Sequence, residues 1–113
     1  MIRNSVKLIG RIGNKVEVRV FDGNRKMAIL SLATNESRKN KLGEWTTDTQ
    51  WHNLVAWGKQ AEYLEANTDK GTEISIEGRL VNKSYTDKQG VKKYVTEVVI
   101  NEVAVMEKEI EKA

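Results

Sequence analysis

The residues of this chain most suited to chemistry are two tryptophans in the run Thr49-Gln50-Trp51-His52-Asn53-Leu54-Val55-Ala56-Trp57-Gly58-Lys59. Side chains alternate along a strand, so Trp51, Asn53, Val55 and Trp57 share one face and His52, Leu54 and Ala56 the other. Six residues of strand put the two rings about 20 Å apart, with the ammonium of Lys59 just beyond. Flat rings spaced along a strand and interleaved with cations suit a surface that stacks bases and neutralises phosphates. The same pattern suits burial, because large aromatics usually serve the core. Taken alone, the pair fits either role.

Two other stretches carry the same residue types. Residues 37–48 hold Arg38, Lys39, Lys41, a Gly43 turn and Trp45, and read as a mobile hairpin connection. A hairpin turn at 85–90 has Tyr85 at its base, flanked by Lys83, Lys88, Lys92 and Lys93. Two flexible basic hairpins, each with an aromatic, can close around a single strand of nucleic acid. Each stacked base is worth about 1–3 kcal/mol with little regard to sequence. The lysines alone serve ordinary solubility equally well. A duplex hides its base faces, and no recognition helix is available to enter a major groove, so single strands are the favoured ligand.

Catalysis finds little support. His52 is the only histidine and there is no cysteine, so a Cys–His nucleophile is excluded along with disulfides and thiolate metal sites. No serine stands in a nucleophile-elbow context, and neither G-x-G-x-x-G nor a Walker motif occurs. Glu107, Glu109 and Glu111 read as a solvated tail, not as metal ligands. The expectation is a binding protein with no catalytic residue, cofactor or metal. His52 reads as a satisfied structural histidine or, in an oligomer, as a ring that hydrogen-bonds across a subunit interface.

The elements that must position these residues are mostly strands. With 113 residues the chain has room for one domain and a modest core. No stretch resembles a membrane span or a signal peptide, and a cytoplasmic setting is expected. Charge is uneven. Residues 1–41 carry ten Lys/Arg against three acids, and the remainder carries nine against thirteen. A basic half points towards a polyanion, although a solvated surface accounts for it as well.

The first strand runs from Ser5 to Ile12, bends at Gly13-Asn14 and resumes with Val16, Val18 and Val20. Phe21-Asp22-Gly23-Asn24 is a turn signal, and a second strand spans Met27 to Glu36. The tryptophan segment is the third. Lys59 to Asn67, with Ala61, Tyr63, Leu64 and Ala66, predicts a short helix ended by Lys70-Gly71. Strands from Thr72 to Lys83 and from Val91 to about Val105 follow, and Met106 to Ala113 is a charged tail. Five strands with one helix between the third and fourth predict an all-β, five-stranded Greek-key barrel of the OB type. The competitors are a β-grasp fold, which pairs a longer helix with fewer strands, and an SH3-like barrel, which lacks this helix. Glycines at 10, 13 and 78 sit where such a barrel must bend.

Several motifs together resemble the bacterial single-stranded DNA-binding protein family over roughly residues 1–106. They are Val6-Lys7-Leu8-Ile9-Gly10-Arg11-Ile12-Gly13, Leu32-Ala33-Thr34-Asn35-Glu36-Ser37, Thr49 to Val55, Trp57-Gly58-Lys59, Lys70-Gly71, Ile76-Glu77-Gly78-Arg79-Leu80, Tyr85-Thr86-Asp87, and Tyr94 with Thr96-Glu97-Val98. The resemblance implies an OB-fold domain at 1–106, a homotetramer built as a dimer of dimers, and protection of single-stranded DNA during replication, recombination and repair. It implies stacking on Trp51, Trp57 and Tyr85, and a subunit-interface position for His52. At a further family stacking position this chain has Arg38, with Trp45 a few residues on as a possible substitute. Phosphate contacts are expected from Arg38, Lys41, Lys59, Lys70, Arg79 and Lys83. The family pattern continues into a linker and an acidic tip that recruits other proteins. The given sequence ends at Glu111-Lys112-Ala113 without that tip, so the expectation is DNA binding without this recruiting route. The alternative is a primosome-type OB protein that acts chiefly as an adaptor between proteins.

Overall fold

The computed structural model describes residues 4–106, so the charged tail expected at 107–113 lies outside the described residues. Six strand segments and one α-helix follow in chain order: β1 (Val6–Ile12), β2 (Glu17–Phe21), β3 (Arg25–Lys39), β4 (Trp45–Trp57), α1 (Lys59–Asn67), β5 (Glu73–Thr86) and β6 (Lys92–Val105). The hydrogen-bonded order is β1-β5-β6-β4-β3-β2, and β1 pairs again with β3 at Arg11↔Ala33 and Ile12↔Leu32. That second pairing closes a five-stranded barrel, with β2 running on beyond it along β3. All pairs are antiparallel except β4 with β6, which run parallel at Leu54↔Val98 and Val55↔Val99. The Greek-key barrel of the OB type is therefore present, its helix lying between β4 and β5.

Period-two alternation determines which residues face inward. Ala28, Leu30 and Leu32 of β3, Leu54 and Ala56 of β4, and Ile74 and Ile76 of β5 fill the barrel, joined by Ile12, Val98 and Ile100. Helix α1 adds Ala61 and Leu64, three apart on one helical face and both fully buried. Burial of Leu64 alone contributes about 1.5–3 kcal/mol. Closure brings backbones very near one another at Gly10, where a Cβ would fall 2.2 Å from the Ala33 carbonyl oxygen. At the Glu77/Gly78 step the β5–β6 register slips, the bulge expected where the sheet turns its corner.

Three expectations are corrected. The first strand does not continue past its bend: it breaks after Ile12, and Glu17–Phe21 is a separate strand that, among the described residues, pairs only with β3. Residues 37–48 are not a loose connection, since the β3–β4 ladder persists to Lys39↔Trp45 and leaves only residues 40–44 as the turn. Asn40 holds that turn, its Oδ1 accepting from the amides of Leu42 and Glu44. Finally, Lys70-Gly71 does not end the helix. Thr68 does, its Oγ1 donating to the Leu64 carbonyl at 2.6 Å, while Lys15 Nζ donates to the carbonyls of Glu65 and Thr68.

Two hairpin arms leave the barrel. Between Ala33 and Trp51, and between Arg79 and Glu97, no side chain is buried. These projections explain a radius of gyration of 16.6 Å, against about 13 Å for a compact domain of this size. No helix among the described residues is long and apolar enough to cross a membrane.

Candidate nucleic-acid interface

The β3–β4 register decides between core and surface for the tryptophans. Met27↔Trp57, Ile29↔Val55, Ala33↔Trp51 and Lys39↔Trp45 all point outward, whereas Leu54 and Ala56 point in. Trp45 is 68% exposed, Trp51 62% and Trp57 37%, so none belongs to the core. Because β4 is longer than its apolar part suggests, Trp45 joins the other two on one face. The three indoles recur every six residues along about 40 Å of a single strand.

Arg79 pairs with Val99, and Val99 with Val55, so Arg79 lies on this same outer face between the rows of Trp51 and Trp57. From Arg79, alternation carries Lys83 and Tyr85 outward as well, with Tyr85 opposite Lys93 and 55% exposed. The stacking residues anticipated in the sequence thus share one convex face that runs from arm to arm. Lys41 sits exposed in the β3–β4 turn, and Lys59 opens α1 directly after Trp57 and Gly58. Lys70 lies in a turn bound to Ile12 by two backbone hydrogen bonds, Gly71 N–H to the Ile12 carbonyl and Ile12 N–H to the Thr72 carbonyl.

Each aromatic has a distinct seat. The Trp51 ring lies over Gly13, where a Cβ would come within 2.7 Å of it and within 2.8 Å of Ser31 Oγ. Trp45 has Lys39 Nζ 5.6 Å from its ring centroid. Trp57 is met by Phe21, with centroids 5.9 Å apart and planes tilted by 35°, and by the Arg25 guanidinium at 5.1 Å. Phe21 and Arg25 were missed in the sequence, where Phe21 reads as part of a turn. Tyr94, 73% exposed with Lys92 Nζ 5.7 Å from its ring, was given no role either. It pairs with Ser84 and so projects from the arm face opposite Tyr85. Counting register back from the Asp87 turn would have found it.

Ion pairs temper several of the cations. Lys83 Nζ lies 3.2 Å from Glu97 Oε1, a buried oxygen that meets this ammonium and makes no hydrogen bond. Arg38 is 2.9 Å from Asp48. It pairs with Thr46, which places it on the arm face opposite Trp45, so the two are not interchangeable in position. Lys93 is 3.7 Å from Asp87. His52 faces inward at the mouth of the barrel, half-buried, its Nε2 2.9 Å from Thr34 Oγ1. Among the described residues no cluster of three or more His, Cys, Asp or Glu side chains is arranged to hold a metal ion.

The profile of the single-strand binding protein family matches residues 3–106. The chain belongs to that family. It is 39% identical over 104 residues to single-stranded DNA-binding protein 1 of Chlorobaculum tepidum, an alignment that covers 91% of this chain and 64% of that protein. The chain therefore spans less than two thirds of this relative's length. A solved Plasmodium falciparum SSB complex with ssDNA superposes with a TM-score of 0.85 at 25% identity, covering 95% of this chain and 97% of that one. A deletion variant of the single-stranded DNA binding protein from Thermus aquaticus gives 0.82 at 27% identity, over 95% of this family member and 52% of the other chain.

Proposed function

We propose that this chain binds single-stranded DNA without reading its sequence and coats strands exposed in replication, recombination and repair. The observation that carries the reading is the single outer face on which Trp45, Trp51, Trp57 and Tyr85 stand exposed beside cations. Bases stack on these rings. Phosphates are neutralised by Lys41, Lys59, Lys70 and Arg79, and by Arg38 and Lys83 once their carboxylate partners yield. Family membership and the likeness to an SSB–ssDNA complex support this, and they support binding in place of catalysis.

The protein acts as a homotetramer, a dimer of dimers, in the cytoplasm with the nucleoid. In support, Val6–Gly10 of β1 have a strand neighbour on one side only among the described residues, and Ile9 is 54% exposed on that edge. His52, with one ring nitrogen engaged by Thr34, offers the other to a neighbouring subunit.

Competition between a labelled oligo-dT and unlabelled single-stranded or duplex DNA, followed by anisotropy, tests the function. Single strands of any base composition should displace the label far better than duplex. Equal displacement by duplex would refute the reading.

A further inference from the structure

We propose that Phe21 and Arg25 form, with Trp57, a second kind of nucleotide subsite in which a stacked base exchanges places with the guanidinium. The proposal rests on the single-strand reading above and extends the track past the end of β4. Phe21 and Arg25 are directly opposed, the last pair before the Asp22–Asn24 turn. Their odd-numbered positions share the outward parity of Met27, which is in register with Trp57. All three side chains therefore emerge on the side of the sheet that carries Trp51 and Trp45.

The three make a layered cluster. Arg25 lies over the Trp57 ring at 5.1 Å and Phe21 packs beside it at 5.9 Å. Their cover explains why Trp57 is 37% exposed while Trp51 is 62% exposed. Phe21 itself remains 42% exposed, a large apolar side chain at a hairpin end with no core to join. Arg25 has no carboxylate within ion-pair distance among the described residues, unlike Arg19, Lys26, Arg38 and Lys83. Among the described residues its charge meets the quadrupole of the indole, a weak and reversible attachment at an exposed site.

A cation on an aromatic face and a phosphate-seeking guanidinium are alternative states of one side chain. When a strand arrives, a base takes the Trp57 face, its neighbour rests against Phe21, and Arg25 swings to the phosphate between them. In the free protein Arg25 keeps the apolar pair covered. The ligand class is a dinucleotide step of single-stranded nucleic acid.

The test compares wild type, Phe21→Ala, Phe21→Trp, Arg25→Ala and, as a reference, Trp51→Ala by oligo-dT titration at several salt concentrations. Phe21→Ala should weaken binding about fivefold or more, the lower end of the loss of one stacked base, and Phe21→Trp should retain it. Arg25→Ala should flatten the slope of log affinity against log salt by about 0.7, one phosphate contact on a single strand. Photocrosslinking with 5-iododeoxyuridine should place an adduct on Phe21 or Trp57. If wild type fails to bind oligo-dT, the single-strand reading falls and the proposal with it. Should wild type bind and Trp51→Ala weaken it, while the Phe21 and Arg25 variants match wild type in affinity and slope, only the proposal falls. A changed assembly mass for Phe21→Ala with unchanged DNA affinity would make the cluster a protein contact and overturn it equally.

Discussion

Trp51, Trp57, Trp45 and Tyr85 differ in what covers them, and that difference predicts how each contributes. Trp51 rests on Gly13 and presents an open ring. Trp51→Ala should cost about 1–3 kcal/mol of affinity for every single-stranded sequence alike, as measured by titration with homopolymers and mixed oligomers. Loss confined to one sequence would contradict stacking. Glu97 makes the opposite prediction. Its half-buried carboxylate holds Lys83 by a 3.2 Å ion pair through the buried Oε1 and so withholds a cation from the face. Glu97→Gln should tighten binding and steepen the salt dependence by about 0.7 in slope, one added phosphate. Unchanged slope would mean that Lys83 does not reach the backbone of the strand.

The strands matter to function through their length and register. Gly13 lies at the break between β1 and β2, and the room it leaves lets the Trp51 ring lie down on the sheet. Gly13→Ala should lift that ring and weaken DNA binding roughly tenfold, about 1.4 kcal/mol and within the worth of one stacked base, with little change in melting temperature. Gly10→Ala should do the reverse. Its Cβ meets backbone at 2.2 Å, so the barrel itself must shift, and thermal unfolding should drop by the about 1–3 kcal/mol of an overpacked site. The barrel, the helix from Lys59 to Asn67 and the shared face of Trp51 and Trp57 were legible because apolar residues alternate or recur there, whereas the outward direction of that face is set by the pairing of β4 with β3. The outer halves of β3 and β4 were not. Residues such as Lys39, Thr46 and Thr47 bury nothing, so no hydrophobic period marks them as strand, and Trp45 looked detached from its partners. Phe21 and Arg25 were hidden for a related reason: their meeting with Trp57 depends on pairing across three strands. Lys15 capping a helix some fifty residues away has no local signal at all.

At the scale of the whole molecule, a small barrel holds two arms that continue one aromatic face. The arms carry little buried surface, so their order depends on ladders and turns, and they are the parts most free to close on a strand. The bare edge of β1 belongs to assembly in this account. Ile9→Asp should lower the mass found by light scattering below that of the homotetramer, while a protomer retains some affinity for oligo-dT. An unchanged mass would remove β1 from the interface. The central claim is that the exposed tryptophans are themselves the binding surface. Quenching of their fluorescence by poly-dT tests it most directly. The account predicts deep, saturable quenching at low salt that reverses as salt is raised. Binding detected by another probe with tryptophan emission unchanged would contradict it.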